Sequence, residues 1–185
     1  MKTEFQRLDR FTMSSSFRGR SPIVVQLWWI IQSTLFAMSP QVMFGWRSFL
    51  LRLFGAKIGK GVRIRSSVTI TYPWKLTVGD YVWVGDETVL YSLGEIEIGS
   101  NTALAHRVYI CTGTHDYTKV NFDIESHKVV IGEQVWLPND VYVAPGVTIG
   151  RGTVIAARSS VFSDMPGGMV CVGSPAKPIK ERIME

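Results

Sequence analysis

The sequence predicts an all-β fold, a parallel β-helix with helices before it and a short capping segment after it. Two observations predict this: a six-residue apolar period, and its return at coil-sized intervals along most of the chain. The period is cleanest at residues 131–161, where a branched apolar residue recurs at Ile131, Leu137, Val143, Ile149, Ile155 and Val161. Beside these stand Gly132, Pro138, Ala144, Gly150, Ala156 and Phe162, mostly small, and four residues on come Val135, Val141, Val147, Thr153 and Ser159. Six is neither the 3.6 of a helix nor the 2 of a simple strand. It fits short strands joined by regular corners, a repeat architecture. Three sides close one triangular coil of about 18 residues, and coils stack about 4.8 Å apart, as neighbouring strands do. Ile131 should then stack on Ile149, Leu137 on Ile155 and Val143 on Val161. Asn139-Asp140, Pro145-Gly146 and Arg151-Gly152 supply turn chemistry at the corners.

Taken in order, residues 1–57 form an N-terminal arm and helices. The arm to Arg20 reads as irregular. Ser21 and Pro22 open a helix as cap and first residue, and an apolar segment runs to Met38. It falls short of the roughly 20 apolar residues of a membrane span. It is therefore expected to pack on the coils or a partner subunit, or to lie in a membrane interface beside Trp28 and Trp29. A second helix, Gln41 to Leu53, carries Val42, Trp46, Phe49, Leu50 and Leu53 on one side, and Gly55 stops it. The β-helix occupies residues 58–163. Its early coils start at Ile58, Val78 and Ile98, 20 residues apart, so each holds two extra residues, placed near Pro73-Trp74 and Gly94-Glu95. After Ile110 the period fails, and a loop excursion over 116–130 intervenes. A loop thrown from a strict repeat points to function. Residues 164–185 form a C-terminal cap, expected as a terminal strand and a short helix covering the open edge.

The totals bound the function. One domain with a sizeable core fits 185 residues. Net charge is +5, but residues 1–65 hold eleven Lys/Arg against Glu4 and Asp9, and the remainder holds nine bases against thirteen acids. A basic N-terminal third suggests an anionic surface or polymer. The bases, Lys2 among them, are dispersed and carry no nucleic-acid motif, so no nucleic-acid partner is expected. Cys111 and Cys171 have no metal-like spacing and read as buried thiols of a reducing compartment. No cleavable signal peptide is visible, so a cytoplasmic protein is expected, with peripheral contact at the inner membrane face.

Several stretches together resemble the hexapeptide-repeat acyltransferases, and most of all their WcaF-like branch assigned to colanic acid biosynthesis, relatives of galactoside and maltose acetyltransferases. These are FRGRS at Phe17–Ser21, LLRLFGAKIG at Leu50–Gly59, YPWKLTVGD at Tyr72–Asp80, CTGTHDY at Cys111–Tyr117, the hexads, and VGSPAKPI at Val172–Ile179. The resemblance covers nearly the whole chain. It implies a left-handed β-helix, a homotrimer with active sites between subunits, and acetyl transfer from acetyl-CoA to a sugar hydroxyl with no metal, the expected acceptor being a sugar of an exopolysaccharide or its lipid-linked precursor.

His115 is the candidate general base, since only histidine titrates near neutrality unperturbed and this one stands where the wall gives way to the loop. His106 and His127 are weaker candidates. Trp136 matches an aromatic that lines the coenzyme A site in the relatives. Asn139 matches a position beside the thioester, where its backbone N–H would stabilise the oxyanion. Ala105 and Ala157 match small residues along the pantetheine arm, and Lys177 and Lys180 match bases near the coenzyme's phosphates. Pro138 and Asn139 stand where the galactoside enzyme has other residues, and Phe162-Ser163-Asp164 replaces the usual Thr-Lys-Asp. Asp86, Tyr91 and Ser92, in the coil before His115, are the candidate sugar contacts. Two other readings compete: a zinc enzyme like the γ-class carbonic anhydrases, using His106, His115 and His127, and a non-catalytic β-helix scaffold.

Overall fold

Hexads of this kind dictate three flat walls, and the computed structural model, which describes residues 4–184, has them. Lys2 lies outside the described residues. Each wall is a parallel sheet with one short strand per coil. Wall A holds Lys57–Ile58, Leu76–Val78, Ile96–Ile98, Val129–Ile131 and Thr148–Ile149. Wall B holds Arg63–Ile64, Trp83–Val84, Ala103–Leu104, Trp136–Leu137, Val154–Ile155 and Met169–Gly173, with Ala176–Glu181 added at its end. Wall C holds Thr69–Ile70, Val89–Tyr91, Tyr109–Cys111, Tyr142–Val143 and Ser160–Val161.

The register is the one the spacing predicts. Ile131 pairs with Ile149 and Val143 with Val161, while Ile58, Val78 and Ile98 step through the 20-residue coils. The second apolar column, from Val62 and Val68 to Val147, is buried with the first. Where it turns polar, the next coil supplies an acceptor: the hydroxyls of Thr88, Thr102 and Thr153 donate to the carbonyls of Ala105, Gly132 and Pro166 at 2.9, 2.8 and 2.6 Å. The corner columns need small residues because the coils nearly touch. A Cβ added at Gly132 would fall 2.7 Å from the Arg151 nitrogen. The extra residues of the early coils bulge at the expected places, one as the short turn Pro73–Lys75.

The first coil has no neighbour above it, so its outward backbone groups need other partners. Helix α1 (Pro22–Ile31), its wider continuation Gln32–Phe36, and helix α2 (Phe44–Leu53) supply them, with one donor side chain per wall. Arg52 donates to the Ile58 carbonyl at 2.9 Å, Arg47 to the Ile64 carbonyl at 2.6 Å, and the Trp28 indole to the Ile70 carbonyl at 2.8 Å. The Ile70 N–H donates to the Gln32 side chain at 2.7 Å. Trp28, Phe36, Leu50 and Leu51 close the apolar core beneath.

Two sequence expectations change here. The face of α2 turned to the coils carries Arg47, Ser48, Leu50 and Leu51, while Val42, Phe49 and Leu53 are exposed. A purely apolar criterion could not place a buried arginine on that face. The C-terminal cap contains no helix among the described residues. It is an antiparallel hairpin, Met169–Gly173 with Ala176–Glu181, because a strand paired along the last coil satisfies backbone groups a helix would leave open. Cys111 and Cys171 are buried free thiols, as expected.

Candidate active site

After Cys111 the chain leaves the wall as a hairpin. Gly113–His115 pairs antiparallel with Ile124–Ser126, and the coil resumes with Val129–Ile131. His115 sits half-buried on this hairpin. Its ring stacks on Phe122 (centroids 4.2 Å apart, 9° between planes), with Phe11 of the N-terminal arm tilted against it at 5.9 Å. His115 Nδ1 lies 2.8 Å from the Phe122 carbonyl. A carbonyl can only accept, so Nδ1 carries the proton and Nε2 presents its lone pair. That tautomer suits a general base. The arm is pinned in place: the Trp74 indole donates to the Arg18 carbonyl at 2.7 Å, Lys75 to that of Phe17 at 2.8 Å, and the Arg7 N–H to that of Val120 at 2.7 Å.

The corner between walls B and C gathers most other candidates. Asp86, His106 and Asn139 occupy successive coils. The Asp86 N–H donates to His106 Nδ1 at 3.1 Å, and the His106 N–H to Asn139 Oδ1 at 3.3 Å. Asp86 is itself held by Arg65 and Ser67, each at 2.8 Å. Burial raises its pKa, but Arg65, Ser67 and His106 outweigh that and the carboxyl ends below its usual range. The Asn139 N–H has no acceptor among the described residues, so it is available to a ligand. Ala157 is exposed one coil further on, next to Arg158, whose N–H donates to the Asn139 carbonyl at 3.0 Å.

Wall B carries the rest. Trp136 is 48% exposed and lines a cavity of about 460 Å³ with Ala105 and His106. The same wall runs from Trp136 through Val154 and Val170 to the terminal hairpin, where Lys180 pairs with Val170 and Lys177 with Val172. Trp136 and both lysines therefore share a wall. Sequence reasoning missed Trp83, 55% exposed in this cavity. With the loop excursion subtracted, it stands two coils above Trp136 with Ala103 between them, and that spacing could have found it.

The acceptor candidates divide. Tyr91 is half-buried against Tyr109. Ser92 is 0% exposed; its hydroxyl receives the Tyr72 N–H at 2.8 Å and donates to the Tyr72 carbonyl at 3.0 Å. It is a structural tie across the bulge and offers nothing to a sugar. His127 is exposed, 3.6 Å from Glu125. Among the described residues no group of three His, Cys, Asp or Glu side chains is placed to hold a metal.

His115 and Asn139 lie on opposite edges of wall C. About five residues at about 3.3 Å each, some 16 Å, separate those edges. The wall between them is aromatic outside: Tyr91, Tyr109, Tyr142 and Phe162 form a ladder with centroids 5.7–6.3 Å apart.

Residues 128–163 match the family described as bacterial transferase hexapeptide (six repeats). The chain is 58% identical over 178 residues to a protein of Escherichia coli (strain K12) assigned as the colanic acid biosynthesis acetyltransferase WcaF, covering 96% of this chain and 98% of that one. Among solved structures, a galactoside acetyltransferase in complex with coenzyme A has a TM-score of 0.82 at 24% identity, over 92% of this chain and 84% of that one. A maltose O-acetyltransferase from Clostridium difficile 630 has a TM-score of 0.75 at 27% identity, over 92% and 96%.

Proposed function

This chain belongs to the hexapeptide-repeat acetyltransferases, and from that premise we propose that His115 is the general base for transfer of acetyl from acetyl-CoA to a sugar hydroxyl. The chain is an acetyltransferase, and its similarity to WcaF favours an acceptor in an exopolysaccharide pathway of the colanic acid type. The observation that carries the reading is His115 itself: a hairpin histidine whose Nδ1 is committed to a carbonyl and whose Nε2 has no hydrogen-bond partner among the described residues.

The chemistry follows from that tautomer. Nε2 takes the hydroxyl proton as the sugar oxygen attacks the thioester carbonyl in a ternary complex. The oxyanion forms against the free Asn139 N–H. Collapse breaks the carbon–sulfur bond, and the departing thiolate recovers the proton from His115. Trp136 and Ala105 would flank the pantetheine arm near the thioester, with Ala157 further along, and Lys177 and Lys180 would meet the phosphates.

Within one subunit the base and the oxyanion donor stand a wall's width apart, whereas transfer needs reacting groups near 3 Å. A homotrimer resolves this. Wall A is polar outside, with Lys57, Thr77 and Glu97, while walls B and C expose Trp83, Trp136 and Tyr109. In such a trimer His115 of one copy would meet Asn139 of a neighbour across the subunit interface.

We extend the reading to peripheral contact with the cytoplasmic face of the inner membrane. Among the described residues no helix is long and apolar enough to cross a membrane. The helical cap nevertheless leaves Ile23 (79% exposed), Met38, Val42 and Leu53 bare. Sedimentation with anionic vesicles at low salt tests this part separately.

The central test is His115→Ala. Loss of a general base should lower turnover by about 10²–10⁴-fold, read by mass detection of the acetylated sugar, while sedimentation shows the trimer intact. Turnover near wild type would remove His115 from the mechanism.

A further inference from the structure

The loop that carries His115 holds one residue in a backbone conformation its type seldom adopts. Phe122 has a φ of 53°, in the left-handed region where a bulky side chain is a genuine outlier. The other seven non-glycine residues with positive φ among those described all stand at corners of the coils. There the strain is offset, because each corner N–H donates to the coil before it. Asp140 does so to the His106 carbonyl at 3.1 Å, Arg158 to that of Asn139 at 3.0 Å, and Glu87 to the Ser67 hydroxyl at 3.0 Å. Phe122 lies outside the coils, and its N–H donates only to the Lys119 carbonyl of its own loop, at 3.0 Å.

What this strained turn delivers is two contacts to one imidazole. The Phe122 carbonyl lies 2.8 Å from His115 Nδ1, and the Phe122 ring lies parallel on the His115 ring. Turning φ back to an ordinary negative value would move both the Cβ and the carbonyl relative to the chain before them, so both contacts depend on the left-handed state. The loop is shut around it: the Asp116 N–H donates to the Asp123 carbonyl at 2.8 Å, and the Lys119 ammonium lies 3.2 and 3.5 Å from the carboxylates of Asp116 and Asp123. A further contact comes from far away in sequence. The N-terminal arm seats on the same loop through the Arg7 N–H and the Val120 carbonyl, and its partly buried Phe11 meets the imidazole at a 59° tilt.

We propose that Phe122 and Phe11 are positioning residues for the base, and that the N-terminal arm is therefore part of the active site. The proposal rests on the reading of His115 as general base. Backbone strain persists where the surrounding structure holds it for a purpose. Here the left-handed turn sets where the proton of the imidazole sits and in which plane the ring lies. Phe11 then limits the tilt of that ring. Neither side chain touches the reacting atoms. Both act through the aim of the Nε2 lone pair, and a small error in aim costs a large factor in rate.

The test compares Phe122→Val with Phe122→Asn in the full-length protein. A β-branched residue resists positive φ, whereas asparagine tolerates it. Valine should therefore lose the carbonyl contact, and asparagine should keep it and lose only the ring. The turnover number kcat should fall about 100-fold in Phe122→Val and about tenfold in Phe122→Asn, with KM for acetyl-CoA unchanged in both. Nitrogen-15 spectra of labelled histidine, assigned with His115→Ala, should show a single neutral tautomer in wild type and Phe122→Asn and two in Phe122→Val. If the residue only packs, the order reverses, because valine keeps the apolar contact and asparagine does not; that reversal would overturn the proposal for Phe122. Phe11→Ala should lower kcat about tenfold with KM for acetyl-CoA unchanged, and Phe11→Tyr should restore it. Unaltered kcat in Phe11→Ala would remove the arm from the site. In a His115→Ala background each of these substitutions should have no further effect on turnover. Turnover near wild type in His115→Ala alone would instead mark a failure of the general-base reading itself.

Discussion

Replacing Arg47 by methionine should cost about 3 kcal/mol of stability. The side chain is 0% exposed and has no ion pair among the described residues. It donates four hydrogen bonds: Nε to the Ile64 carbonyl at 2.6 Å, Nη1 to the Ser39 hydroxyl at 2.7 Å and the Pro40 carbonyl at 3.0 Å, and Nη2 to the Gln41 carbonyl at 2.7 Å. Bonds from a charged donor contribute about 1.5–3 kcal/mol each, so the gross loss is roughly 6–12 kcal/mol. Against this stands the cost of burying a guanidinium without a carboxylate, several kcal/mol, which the variant recovers. That burial, aided by Arg65, already pulls the Arg47 pKa down. Methionine keeps the alkyl packing, so the difference reports the polar contacts. About 3 kcal/mol should lower the melting temperature by about 6–12 °C in a chain of this size. Arg47→Lys, which keeps the charge but loses the planar fork, should fall between. The assay is guanidinium unfolding followed by circular dichroism, with subunit concentration held fixed. A methionine variant as stable as wild type would refute the reasoning, because the contacts would then only balance desolvation.

Other consequences are equally measurable. Trp136→Ala should raise KM for acetyl-CoA about tenfold and leave KM for the sugar unchanged in steady-state kinetics. Burial, reinforced by Cys111, pushes the Tyr142 hydroxyl up to about 12. Its folded value is raised, so the stability it contributes is present below the ordinary value near 10 and is lost between there and about 12. Burial also raises Tyr72, Tyr91 and Tyr109, so ultraviolet titration should show a group of late phenols that loses one member in Tyr142→Phe. On the acid side, Arg107 lowers the Asp140 pKa, and Asp86 is lowered by the partners that outweigh its burial. Depressed carboxylates stabilise above their unfolded pKa, so unfolding midpoints should hold down to about pH 4 and fall below it. Asp86→Asn and Asp140→Asn should each flatten that fall.

The solenoid was legible because its core is a column of like residues. Once Ile131 stacks on Ile149, every inward residue of the late coils is determined, and the 20-residue spacing of Ile58, Val78 and Ile98 places the early bulges. What the period could not reveal were contacts made by polar groups with backbone. Arg47 is hidden because charge marks a surface in any apolar pattern. Ser92 reads as an exposed hydroxyl until the bulge beside it turns the chain inward onto Tyr72. The terminal hairpin lacks strand-like alternation because Pro175, Lys177 and Pro178 interrupt it. His115 was found by its motif, but the Phe122 carbonyl that selects its tautomer is fixed only by the fold of the hairpin. Trp83 was hidden by the 15 extra residues between its column neighbours Ala103 and Trp136, which break any fixed-interval search.

The three side chains above the first coil have a consequence for what this molecule does in a crowded solution. An uncapped end of a parallel coil is a template: another chain can add its strand there, then another, until a fibre forms. Arg52, Arg47 and Trp28 each occupy the acceptor an incoming strand would use, one on every wall. They act as a stop on end-to-end growth, so the number of coils is a property of the single chain and not of its concentration.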